Sequence, residues 1–121
     1  MRYMADLLVG FVALEHVGFL FVEMFLWRKP LGLRIFRLTQ EAADSSAVLA
    51  ANQGLYNGFL AAGLVWGLFF CGQPAAVKTF FLCCVVVAGV FGGVTASRSI
   101  LYVQALPALL ALVLLRLGAA N

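Results

Sequence analysis

Apolar residues in this chain run almost unbroken through four stretches, 5–27, 47–70, 77–97 and 99–117, and the segments between them carry most of the charge. Each stretch is close to the ~20 residues that a helix needs to cross roughly 30 Å of hydrocarbon. The pattern predicts an all-α polytopic membrane protein, an antiparallel four-helix transmembrane bundle formed as one membrane domain over residues 1–121. The connection 28–46 is its only long one. There Pro30 and Gly32 stop the first helix, and LRIFRL mixes Ile35, Phe36 and Leu38 with Arg34 and Arg37, as a segment lying at the membrane interface does. Thr39 is placed to cap the second helix, with Glu41 in its first turn. CGQPAAVK and TASRS read as tight turns, so the third and fourth spans are expected to be antiparallel neighbours.

The basic residues orient the spans. Arg28, Lys29, Arg34, Arg37 and Arg98 fall in the first and third connections, against Arg2, Lys78 and Arg116 on the other side. Positively charged connections stay in the cytoplasm, which leaves both termini outside. A formal charge of +3 does not point to nucleic acid, because the one basic cluster follows the first span directly and suits anionic lipid headgroups. With 64% hydrophobic residues and a mean hydropathy of +1.05, the lipid bilayer is the expected surrounding. The first stretch is expected to be retained rather than cleaved as a leader, since it is long, holds two glutamates and lacks a small-x-small site.

Polar residues inside the spans are the functional clue. ADLLVGFVALEHVGFLFVEMFLW carries Glu15, His16 and Glu23, and an ionisable group at such depth costs ~2.5 kcal/mol or more unless it faces protein or water. On an ideal helix His16, Glu23 and Trp27 lie within roughly 20° of one another, with Glu15 about 100° aside. Trp27, at the end of its span, reads as an interfacial anchor. The second span brings Asn52, Gln53, Tyr56 and Asn57 to the depth of Glu23, with Gln53 and Asn57 on one face and Tyr56 beside them. Thr95 and Arg98 at the end of the third span, and Gln104 in the fourth, approach the same level. Lipid offers none of these groups a partner, so they either satisfy one another or line a wet pocket open to the cytoplasmic half. The candidate ligand or proton site is therefore Glu15, His16, Glu23, Gln53, Tyr56, Asn57, Thr95, Arg98 and Gln104.

No cofactor and no metal site is expected. Cys71, Cys83 and Cys84 show no ligand spacing and read as free thiols. His16 and Glu23 are about 10 Å apart along one helix, too far to share an ion. Gly54, Gly58 and Ala62, Gly89 with Gly93, and Ala88 with Gly92 recur at four-residue spacing, as small residues do where helices pack closely.

The segments ALEHVGFLFVEMFLW, ANQGLYNGFLAAGLVWG, VAGVFGGVTASR and VQALPALLAL together resemble the small four-span bacterial membrane proteins known as domain of unknown function thirteen-zero-four. The resemblance extends over nearly the whole chain, and NQGLYNGFLAAGL is its most specific block. It implies an inner-membrane protein of four helices and carries no activity or residue role.

Three functions compete. A proton-linked transporter of a hydrophobic or cationic small molecule would use Glu15 or Glu23 to alternate between proton and ligand. That layout is similar to the small multidrug-resistance exporters, which also carry a first-helix glutamate. Four short helices hardly enclose a path alone, so transport predicts a homo-oligomer. A membrane enzyme, such as an isomerase of a lipid-like substrate, would use Glu15, His16 and Glu23 as acid and base. In a structural or accessory protein the polar core would only fix helix register.

Overall fold

In a computed structural model of the protein, residues 1–119 are described, and every regular element among them is helical. Helix α1, Arg2–Phe21, runs on into a wider π-helical turn, Val22–Leu26. Helix α2 is Pro30–Phe36, α3 is Gln40–Phe69 and α4 is Pro74–Thr95; a second π-helical turn, Leu101–Ala105, leads into α5, Leu106–Ala119. Arg2–Leu26, Pro74–Thr95 and Leu101–Ala119 are long and apolar enough to cross a membrane. At 30 residues α3 has the length, so composition is what sets it apart: Asn52, Gln53 and Asn57 interrupt its apolar run.

Contacts along the chain divide it into two units, Met1–Ala13 with Leu60 onward, and Leu14–Phe59. In the first, Ala5, Val9, Val12 and Ala13 of α1, Leu64 of α3, Leu82 and Val85 of α4, and Ala108, Ala111 and Leu115 of α5 form one buried core. Their spacings of three and four residues put each set on one helix face. Small side chains dominate, and backbones come close where even a methyl is missing. A Cβ on Gly89 would stand 2.7 Å from the Ala105 nitrogen, so only glycine admits the Leu101–Ala105 turn against α4. That turn precedes Pro107, whose ring would clash with a carbonyl four residues back in a regular α-helix; the wider turn relieves the clash. Within the same unit the Lys78 ammonium is buried and pairs with Asp6 of α1.

The second unit is built on the passage from α1 through α2 into α3. Pro30 does not simply stop a helix, as expected from the sequence; it opens α2 at the first helical position, where its missing N–H costs nothing. Gly32 is buried inside α2, where a Cβ would lie 2.1 Å from the Leu26 carbonyl oxygen and 2.6 Å from that of Trp27. Helix α2 ends on Arg37 in the left-handed conformation (φ 53°, ψ 45°), and the Leu38 N–H returns to the Leu33 carbonyl at 2.9 Å. The expected cap is present: Thr39 Oγ1 accepts from the Ala42 N–H at 3.1 Å.

The stripe of small residues is present only in part. Gly54 and Gly58 face α1, and Gly89 and Gly93 face the Leu101–Ala105 turn, but Ala62 and Ala88 are exposed. A four-residue step advances about 40° around the helix, so the stripe drifts off the contact. On α3 the tight contacts pass to Gly63, under the Phe81 ring, and to Gly67, against Lys78.

Candidate functional site

Glu23 stands in the π-helical turn Val22–Leu26, a wider turn of a kind that recurs at functional sites. Its Oε1 accepts a 3.0 Å hydrogen bond from Nδ2 of Asn57 on α3. Gly54, one turn before Asn57, allows this approach: a Cβ there would lie 3.1 Å from the Leu20 carbonyl oxygen and 3.2 Å from Glu23 Cβ. The carboxylate and carboxamide, 34 residues apart, are held together by backbone proximity rather than by long, adaptable side chains.

The Glu23 side chain also borders a cleft of about 550 Å³, within the range of small-molecule sites. Met24, Phe25, Trp27 and Ala51 supply apolar wall, Asn52 a carboxamide, and Arg28, Lys29 and Asp44 charge of both signs. The Trp27 wall is fixed in place. Its indole N–H donates to Ser46 Oγ at 3.0 Å, Ser46 Oγ donates to the Ala42 carbonyl at 2.6 Å, and the indole ring packs on Phe36 at 4.7 Å. Trp27 is thus a built part of this cleft. Gln40 Nε2 donates to Asp44 Oδ1 at 3.0 Å and to the Arg28 carbonyl at 3.4 Å. The bond to Arg28 ties the start of α3 to the segment that follows the first π-helical turn.

The other sequence candidates are placed differently. His16 is fully buried, its ring edge-on to Phe19 at 5.3 Å. Glu15 is half-buried, and its Oε2 is enclosed with no hydrogen-bond partner among the described residues. Gln53 and Tyr56 point outward, Tyr56 with its ring near Phe59 at 6.1 Å, so they do not join the Glu23–Asn57 pair. Gln53 and Asn57 are four residues apart, yet the about 40° between them suffices to leave one outside.

Thr95, Arg98 and Gln104 belong to the other unit. The Thr95 hydroxyl is spent on its own helix, donating to the Phe91 carbonyl at 2.7 Å, and Arg98 is exposed. Gln104 is half-buried in the Leu101–Ala105 turn. Sequence reasoning missed the Asp6–Lys78 pair. A signal existed, since the inferred topology put both at the same membrane side. Among the described residues no group of three or more His, Cys, Asp or Glu side chains is placed to hold a metal ion. The three cysteines are free thiols.

The sequence model of the family described as "Protein of unknown function (DUF1304)" matches residues 10–116. The chain belongs to the DUF1304 family. All nine candidate residues, from Glu15 to Gln104, lie inside the DUF1304 match, and so does the whole lining of the cleft. The uncharacterized protein YpaA of Lactococcus lactis subsp. lactis (strain IL1403) is similar, 30% identical over 104 residues that cover 84% of this chain and 87% of that protein. No solved structure matches this DUF1304 chain.

Proposed function

We propose that this DUF1304 protein is a four-span inner-membrane protein that binds a small hydrophobic cation in the cleft beside Glu23 and moves it in exchange for protons. In this reading α3 is the remaining span, since its 30 residues reach about 45 Å. It enters from the cytoplasm behind the basic segment Arg28–Arg37, which leaves both termini outside.

The observation that carries the reading is the Glu23 carboxylate, held by Asn57 and bordering an aromatic-walled cleft. A carboxylate that accepts one hydrogen bond keeps capacity for a second partner, either a proton or the positive centre of a ligand. The apolar walls take the ligand's body, and the alternation of proton and cation on one group couples their movements.

Tetraphenylphosphonium is a suitable probe. Purified protein should bind it by calorimetry, Glu23→Gln should abolish binding while the helical content stays intact, and proteoliposomes should accumulate it only under a pH gradient. Equal binding by the wild type and Glu23→Gln would remove the site. A structural role is the second reading, favoured by the same hydrogen bond, since it also fastens α1 to α3. That reading predicts that Glu23→Gln lowers the unfolding temperature without any ligand being involved.

A further inference from the structure

Between Val48 and Phe59, α3 carries no charged residue, yet part of its exposed arc is polar. Val48, Leu49, Asn52, Gln53, Tyr56 and Phe59 are all exposed and fall within an arc of about 140°. Neither Asn52 nor Gln53 makes a side-chain hydrogen bond among the described residues, and Tyr56 stands 57% exposed in their midst. On a membrane helix this arc would turn the Gln53 carboxamide and a phenol toward lipid, which satisfies neither donors nor acceptors, beside an Asn52 carboxamide that borders the cleft.

We infer that this face of α3 is the contact surface for a second copy of the same chain. The argument is one of complementarity. A carboxamide carries a donor and an acceptor together, so a two-fold axis through the face lets Asn52 and Gln53 of one copy satisfy those of the other. An uncharged face offers no charge to choose a differently charged partner. Leu49, Tyr56 and Phe59 flank the carboxamides and supply apolar packing around them. Intramembrane helices commonly associate through such interhelical hydrogen bonds. This pairing rests on α3 being a span, as proposed above, but on no ligand, and Asn52 places the seam beside the Glu23 cleft.

The test uses full-length protein with Cys71, Cys83 and Cys84 replaced by alanine, in phosphatidylethanolamine–phosphatidylglycerol vesicles. Single cysteines are introduced as Gln53→Cys, Tyr56→Cys or, on the exposed face of α4, Val87→Cys. Oxidation should give a disulfide-linked dimer at the two α3 positions at several times the yield at Val87. Single-molecule photobleaching at high lipid dilution should show two-step traces for the wild type. The double variant Asn52→Leu, Gln53→Leu should lose most of them while keeping its helical circular dichroism. One-step traces for the wild type would leave the face to lipid or to another protein and overturn the inference. Equal cross-linking at Val87, or a dimer fraction untouched by the leucine pair, would overturn it as well.

Discussion

Lys78, near the start of α4 and only 4% exposed, pairs its ammonium with the carboxylate of Asp6 on α1, 72 residues earlier. Removing the carboxylate strands a buried cation. Asp6→Ala is expected to cost about 3 kcal/mol, the lower end for a broken buried pair because Asp6 remains a third exposed. Adding Lys78→Met to that variant should recover most of the loss. Thermal unfolding of the four members of the cycle in detergent decides it; purely additive effects would show that the pair is not coupled.

The Glu23–Asn57 bond lends itself to the same treatment. Asn57→Leu is expected to cost about 1 kcal/mol, the order of a hydrogen bond between packed helices. It should also weaken binding of a lipophilic cation at least several-fold, because the carboxylate loses the group that orients it. If binding by Asn57→Leu equals that of the wild type, the carboxamide has no part in positioning Glu23.

Two glycines should respond with opposite sign. Gly32→Ala drives a methyl into the Leu26 and Trp27 carbonyl oxygens, and backbone cannot step aside cheaply; a loss of about 3 kcal/mol is expected. Gly10→Ala meets nothing within 4 Å and lies inside α1, where alanine is worth about 0.5–1 kcal/mol over glycine. Denaturation of the two variants side by side tests whether close approach, and not glycine content as such, governs these sites.

Arg37 offers a stabilising change. Its left-handed backbone is strained for any residue with a side chain, so Arg37→Gly should gain about 1 kcal/mol. Slower amide exchange at Leu38, whose N–H closes the end of α2, should accompany the gain. Unchanged exchange there would mean that the turn carries no strain worth relieving.

Much of the local structure could be read from residue order because its causes are local. Thr39 caps α3 through its own hydroxyl, and glycines at 54, 58, 89 and 93 sit where helices touch. The polar site was legible only in part. Asn57 and Glu23 were expected at one depth and are bonded, whereas Gln53 and Tyr56, expected beside them, face outward. Periodicity tells which residues share a helix face, but the rotation of that face is set by whatever packs against it. The π-helical turn Val22–Leu26 shifts the angular register further, and no pattern of apolar residues announced it.

By itself, then, the order of residues determined helical secondary structure, an apolar chain suited to a membrane, membership in DUF1304 and the rarity of intramembrane charge, all of which follow from side-chain chemistry and helical rise. Only tertiary structure decided that Lys78 is buried on Asp6, that Gly32 lies on two carbonyls, that Trp27 forms a cleft wall and that Asn57, not Gln53, holds Glu23. Each of these depends on how segments pack in space, most of them far apart in the chain. An arrangement of that kind is a property of packing and has no counterpart in spacing along one helix.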